Sequence, residues 1–213
     1  MLLGAWCPIV NRQSSNRQFL DIGTGCGLIA RMLMQRCPDA EVEGIDIDEA
    51  AVEQARENGV RAFHSSLQEW QNQKSEITNH KSYDLIVSNP PYFQNSLKNP
   101  DKGRQTARHT DTLSYEELIR HSARLLKEDG MLAVILPAES ETEIRAVAAQ
   151  YYLYCSRVTR VYSKESKPAR RVLLTFEMTK SRNAGITIDK LVLEDEKGGR
   201  SLPYQDLCRD FYL

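Results

Sequence analysis

Two short runs in this 213-residue chain hold residues whose types and spacing could do chemistry. The first is Asp21-Ile-Gly23-Thr-Gly25-Cys-Gly27. Glycines in such a turn let the backbone fold tightly and let a ligand approach without meeting a Cβ atom. A glycine-rich turn between a strand and a helix also serves dinucleotides or plain tight packing. Two details narrow the reading here. The spacing is GxGxG rather than GxGxxG, and an acid, Asp21, precedes the turn. A pyrophosphate at the next helix N-terminus would meet that negative charge, whereas a cationic amino-acid moiety would tolerate it. Asp46 ends the following apolar run, where a carboxylate can accept hydrogen bonds from both hydroxyls of a ribose. Asp48 reads as a helix cap. Cys26 reads as a small filler, because no histidine stands near it in sequence to activate a thiol.

The second run is Asn89-Pro90-Pro91-Tyr92. Asn-Pro pairs commonly start turns. This one directly follows an apolar run and lies downstream of the glycine turn, which gives it a more specific meaning. An exocyclic amine on an aromatic ring is a poor nucleophile, because its lone pair is delocalised into the ring. Two acceptors aimed at its hydrogens favour a more pyramidal, electron-rich transition state. The side-chain oxygen of Asn89 and the carbonyl of Pro90 can be those acceptors, and consecutive prolines stiffen the backbone that holds them. Tyr92 offers a face on which a flipped base can stack, worth about 1–3 kcal/mol. The proton can leave after the nitrogen has reacted, so no histidine base is required. Asn89, Pro90 and Tyr92 are therefore the candidate catalytic residues, for any planar –NH2 group.

These runs need a frame. Apolar runs at 19–22, 42–47, 60–63, 83–87 and 131–136 read as strands, with helical patterns between most of them. The first helix pairs Leu28 with Met32 and Ile29 with Leu33, and stops near Cys37-Pro38. The second opens at Asp48 and ends at Asn58-Gly59. Ser114-Tyr-Glu-Glu117 is a capping box for a helix carrying Leu118, Ile119, Leu125 and Leu126, ended by Asp129-Gly130. Another helix follows Pro137. Residues 71–82 are polar without periodicity and read as a loop, and 94–112 are irregular and basic. Runs at 153–162 and 171–178 look like a closing strand pair, 186–193 like a weaker strand, and 203–213 like a short helix. Strand-helix alternation of this kind implies an α/β fold, an open and mostly parallel sheet with helices on both faces. Late strands without a helix between them imply an antiparallel edge. One domain over 1–213 is expected.

Composition bounds the function. Hydrophobic residues are 41% and charged residues 27% of the chain, as in soluble globular proteins. The five cysteines are odd in number and form no CxxC, which argues against a disulfide framework or a zinc site. No run approaches the roughly 20 apolar residues of a membrane span, and the first ten residues lack a signal-peptide layout. A cytoplasmic enzyme without metal is expected. The net charge is -1, but its distribution is uneven. Lys98, Lys102, Arg104 and Arg108 stand against Asp101 alone, and Arg157, Arg160, Lys164, Lys167, Arg170 and Arg171 against Glu165 alone. Either stretch by itself is ordinary solvated surface. Together, rimming an amine site, they suit a phosphate backbone.

The glycine turn with its strand-two acid resembles the Rossmann-like class I S-adenosylmethionine methyltransferases. That resemblance implies a mostly parallel seven-stranded sheet, with Asp21, Gly23, Gly25, Gly27, Asp46, Ile47 and Asn89 at the cofactor. The methyl would pass in line from sulfonium to nitrogen, with orientation as the main catalytic contribution. Asn89-Pro-Pro-Tyr92 resembles the amino-methyltransferase branch, whose members modify adenine N6, cytosine N4 or glutamine amides. Leu2-Leu-Gly-Ala-Trp6, the glycine turn, Gly44-Ile-Asp-Ile-Asp48, Ser88-Asn-Pro-Pro-Tyr-Phe93, Ala107-Arg-His-Thr110 and Asp210-Phe-Tyr-Leu213 are similar to the bacterial tRNA (adenine-N6) methyltransferases, over nearly the whole chain. The resemblance implies tRNA as partner and adenine 37 of a valine tRNA as target. It places Pro91, Phe93, Lys102, Arg104, Arg108, His109, Lys167 and Arg170 at the substrate. A monomer is expected, and His64, His80 and His121 receive no role. The family's segment before Leu-Leu-Gly-Ala-Trp is expected to be missing here, and cofactor and tRNA to bind more weakly than to an extended form. Competing readings are a glutamine methyltransferase of release factors, a non-catalytic RNA-binding module and, more distantly, a nicotinamide oxidoreductase.

Overall fold

The computed structural model of the protein describes residues 1–9, 16–77, 83–90, 113–178 and 185–211. The eight strands among them are β1 Arg17–Ile22, β2 Ala40–Asp46, β3 Arg61–His64, β4 Tyr83–Ser88, β5 Leu126–Pro137, β6 Tyr154–Tyr162, β7 Ala169–Glu177 and β8 Thr187–Val192. They form one sheet in the order β3-β2-β1-β4-β5-β7-β6-β8. All neighbours pair in parallel except β7, which is antiparallel to β5 and to β6. The sheet thus has eight strands rather than the expected seven. The extra strand is β8, parallel to β6 from Arg157↔Thr187 to Tyr162↔Val192. Its Asp189 takes a two-pronged ion pair from Arg157 and a hydrogen bond from Thr159 of β6, and Leu191 is buried.

The helices are α1 Leu2–Trp6, α2 Leu28–Arg36, α3 Glu49–Glu57, α4 Leu67–Ile77, α5 Tyr115–Leu125, α6 Glu141–Gln150 and α7 Leu202–Cys208. One core joins Leu3 and Trp6 of α1, Leu33 of α2 and Val52 of α3 to Phe19, Leu85 and Leu173. The other joins Trp70 of α4, Leu118 of α5 and Ile144 of α6 to Leu20, Ile86 and Leu174. Alternate strand residues therefore serve opposite cores, as the two-residue pleat requires. Asp48 caps α3 by accepting from Ala50 and Ala51 N–H groups at 3.0 and 3.4 Å. Ser114 and Glu117 form the reciprocal capping box that opens α5.

Two local expectations change. Residues 71–77 belong to helix α4, not to a loop. Its start carries a Ser66–Glu69 box, and Leu67, Trp70 and Gln71 are buried on one face. The Trp70 indole donates to Tyr83 Oη at 3.0 Å, so tertiary packing supplies what weak periodicity does not. Helix α5 stops at Leu125, before Asp129-Gly130, and 126–130 already belong to β5. A Cβ on Gly130 would come within 2.8 Å of the Tyr83 carbonyl, so close strand approach is what this glycine permits. Helix α1, for which no expectation was made, is held at its C-terminal end by Arg36, which donates to the carbonyls of Gly4 and Cys7 at 2.8 Å.

Candidate active site

β1, β2 and β4 run in parallel, so their C-terminal ends share one edge of the sheet. After β1 the chain packs α2 on one face, and the helix that follows β4 packs on the other. A crevice opens between such strands where the winding reverses. The glycine turn leaves β1 there, Asn89 leaves β4 beside it, and Asp46 ends β2. Ser88 ties the first two together, its hydroxyl donating to the Ile22 carbonyl at 3.0 Å.

The turn is anchored to β2 by the N–H groups of Gly23 and Thr24, which donate to the Ile45 carbonyl at 2.9 and 3.0 Å. Gly23 and Gly25 have left-handed φ of 70° and 54°, and a Cβ on either would meet nothing within 4 Å. Backbone conformation demands these glycines, and the space above them is open to a ligand. Gly27 differs. A Cβ there would lie 2.7 Å from Val60 Cγ2, so it serves packing rather than ligand approach. Cys26 is exposed rather than a filler, and its carbonyl accepts from Asn58 Nδ2 at 2.8 Å.

Asp21 is fully buried beneath the turn. Its Oδ2 accepts from Thr24 Oγ1 at 2.9 Å and from the Ala30 N–H at 3.1 Å. Ala30 lies in the first turn of α2, whose cap residue Gly27 has no side chain to offer. Asp21 therefore satisfies a free helix N–H from within the core. Its Oδ1 has no donor among the described residues. Burial pushes the carboxyl up to about 6, while the bonds from Thr24 and Ala30 draw it back down.

Asp46 is half-buried and already engaged. Its Oδ2 accepts from the Gly25 N–H at 2.8 Å and its Oδ1 from the Asp48 N–H at 3.0 Å. A carboxylate offers about four acceptor positions, so two remain for hydroxyls of a ligand. Ile47 next to it is 57% exposed, a large apolar side chain lying open beside the turn. Asn89 is exposed and Pro90 after it is buried. Pro91, Tyr92, Phe93, Lys102, Arg104, Arg108 and His109 lie outside the described residues.

The turn between β6 and β7 lies at this same end, since Tyr162 pairs with Ala169 and Arg171 with Pro137. Its charge is less free than the sequence suggests. Arg157 is paired with Asp189, Arg160 with Glu141 and Lys164 with Glu194. Lys167 and Arg170 are exposed, without an acidic partner among the described residues. A separate groove of about 760 Å³, lined by Leu28, Met32, Gln35 and Phe211, runs along α2 and includes neither Asp46 nor Asn89. Two residues of the site had no assigned role from sequence, Thr24 and Gly44. Gly44 lies beside Asp21 in register, and a glycine inside an apolar strand is the signal that marks such close approach. Among the described residues no cluster of three metal-ligating side chains occurs, and no helix is long and apolar enough to cross a membrane.

Residues 9–159 match the family described as "Methyltransferase small domain". A Bacteroides fragilis protein called tRNA1(Val) (adenine(37)-N6)-methyltransferase is 41% identical over 217 residues, covering 100% of this chain and 88% of its own. Proteins of the same description from Bacteroides thetaiotaomicron and Flavobacterium johnsoniae are 38% and 39% identical over all of this chain and 88% and 90% of theirs. The fold is similar to a crystal structure described as a predicted O-methyltransferase from Agrobacterium tumefaciens, with TM-score 0.73 at 18% identity over 98% of this chain and 94% of that one. It is also similar to a geranyl diphosphate C-methyltransferase from Streptomyces coelicolor, with TM-score 0.51 at 14% identity over 79% and 73%.

Proposed function

The chain belongs to the family of the tRNA1(Val) (adenine(37)-N6)-methyltransferases, within the methyltransferase small domain family, and from that premise we propose that it methylates the exocyclic N6 of adenine 37 in valine tRNA. The methyl donor is S-adenosylmethionine, which when bound supplies a methyl group activated by its sulfonium. The observation that carries the reading is the placement of Asn89 at the end of β4, beside the glycine turn at the end of β1 and one strand from Asp46. The open space over Gly23 and Gly25 and the spare acceptor positions of Asp46 fit such a donor.

Each residue then has a task. Gly23 and Gly25 admit the donor to the turn, Asp46 holds its ribose and Ile47 covers it. Asn89 Oδ1 and the Pro90 carbonyl accept the two hydrogens of the adenine N6. This orients the nitrogen lone pair toward the donor and stabilises charge as it develops. Tyr92 with Pro91 and Phe93 stacks the flipped base, which an anticodon loop gives up more cheaply than a duplex does. Lys102, Arg104, Arg108, His109, Lys167 and Arg170 meet the RNA backbone around it.

The test is methyl transfer from labelled S-adenosylmethionine to total tRNA from a strain lacking the modification, followed by nucleoside mass spectrometry and mapping. N6-methyladenosine at position 37 of valine tRNA is expected. Transfer to a release-factor glutamine instead would replace this reading with a protein methyltransferase. A protein that binds tRNA but transfers nothing would be a binding module.

A further inference from the structure

We propose that Thr24 is a positioning residue, seated in the space that Gly44 leaves open, which holds Asp21 and the cofactor turn in the arrangement that binds the donor. The inference rests on the S-adenosylmethionine reading given above. Its geometry begins with register. Asp21 of β1 stands beside Gly44 of β2 and Val87 of β4, and neighbours in register project to the same face of a sheet. Gly44 has no side chain, and Thr24 fills that position. A Cβ on Gly44 would lie 2.8–2.9 Å from Oγ1, Cβ and Cγ2 of Thr24. Thus Thr24 is pressed against β2 by shape, hydrogen-bonded to Ile45 through its own N–H, and turned to donate its hydroxyl to Asp21. It is buried, between two glycines of the turn, Gly23 and Gly25, that are open.

The consequence is electrostatic. Asp21 has two donors, Thr24 Oγ1 and the Ala30 N–H, and both meet the same oxygen. The charged or titratable groups coupled to it are Asp46 from β2, the Met1 amino group at the start of α1, and Cys7 just past α1. No paired cation compensates it among the described residues. Its charge therefore leans on the Thr24 hydroxyl, since a hydrogen bond to an ionised acceptor is worth more than one to a neutral group. A negative carboxyl beneath the turn favours a cationic donor above it. Without the hydroxyl, Asp21 takes up a proton nearer neutrality, and both the charge and the hold on the turn weaken.

Calorimetry of S-adenosylmethionine binding from pH 5 to 8.5 tests this with wild type, Thr24→Val and Thr24→Ser. Valine keeps the shape but removes the donor, while serine keeps the donor. The expected affinity ratio of wild type to Thr24→Val is about tenfold near pH 7. It should shrink towards pH 5, where Asp21 is protonated in both proteins, and towards pH 8.5, where it is ionised in both. Thr24→Ser should stay within about twofold of wild type throughout. A ratio that is the same at every pH, or a Thr24→Val protein that binds like wild type, overturns the proposal. Thermal unfolding at pH 5 checks that Thr24→Val is folded, and Gly44→Ala, which displaces the same side chain from behind, should reproduce its pH profile. Wild-type protein that binds no S-adenosylmethionine at any pH would remove the donor assignment itself, and this inference with it.

Discussion

Asn89 illustrates how little side-chain chemistry the proposed transfer asks for. A carboxamide oxygen and a backbone carbonyl orient one nitrogen, and no proton need be taken beforehand. Replacing Asn89 by Ala is expected to slow methyl transfer about 10²–10³-fold, or roughly 3–4 kcal/mol of barrier, as for other lost transition-state contacts. Single-turnover rates with saturating tRNA and donor measure it. Asp21 makes the opposite trade, holding a charge the fold would rather not keep. Its carboxyl is raised from 3.8 to about 6, so ionising it is harder in the folded than in the unfolded chain. That penalty is complete above pH 6, fades as pH falls, and is gone below 3.8, where both states are protonated. Asp21→Asn should therefore be more stable than wild type at pH 7–8, by about 2 kcal/mol, with the difference closing towards pH 4. Melting curves across that range, without donor, decide it, and the same variant should bind S-adenosylmethionine more weakly.

At the scale of elements, the starts of α3 and α5 are the most readable features. The Asp48 cap and the Ser114–Glu117 box depend on side chains meeting their own backbone neighbours, so sequence contains both partners. Helix α4 was not readable, because its hold comes from a distance. Glu43 of β2 is buried and accepts from Tyr83 Oη at 2.6 Å and from Lys74 of α4 at 3.0 Å, with Trp70 donating to the same tyrosine. Glu43→Ala would remove the acceptor of the Tyr83 hydroxyl proton and the carboxylate paired with Lys74, and is expected to cost about 2–4 kcal/mol by urea unfolding. The turn after α6 carries an opposite opportunity. Tyr152 has a left-handed φ of 60° in a position that commonly takes glycine, with Leu153 N–H bonded back to the Ala148 carbonyl at 3.0 Å. Tyr152→Gly should raise stability by about 0.5–1 kcal/mol in the same assay. The pairing of Thr24 with Gly44 was equally hidden, since it depends on the register of two strands joined only by the fold.

At the scale of the whole molecule, the β6–β7 turn carries less free positive charge than the sequence implies. Counting residues 157–171 shows six cations, whereas the folded chain spends Arg157, Arg160 and Lys164 on acids brought from β8, α6 and the segment after β8. Those acids lie at positions 189, 141 and 194, outside the basic stretch, so no reading of local charge could discount them. The parallel sheet with helices on both faces was legible from alternation, because each element buries one face of its own. The segment 186–193 is legible as a weak strand, much of it exposed at the edge, while the count of seven strands came from the family resemblance. If Lys167 and Arg170 meet phosphates, Lys167→Ala/Arg170→Ala should lower the slope of log K against log salt for tRNA binding by about 1.5–2. Arg157→Ala, which breaks a pair within the fold, should leave that slope unchanged and lower thermal stability instead.

The place of β7 bears on how the protein is made. Strand β6 leaves the ribosome before β7, yet its partners in the sheet are β7 and β8, both still to come. Until β7 slides in between, β5 shows an open edge of backbone donors and acceptors, a template for pairing with another nascent chain. The proposed donor-binding end is drawn from β1, β2 and β4, which pair with one another and not with that seam's β7. Docking of 169–177 is thus the step that closes the sheet, and a chain that stops just before it would expose the β5 edge to other chains although every residue of the glycine turn is present.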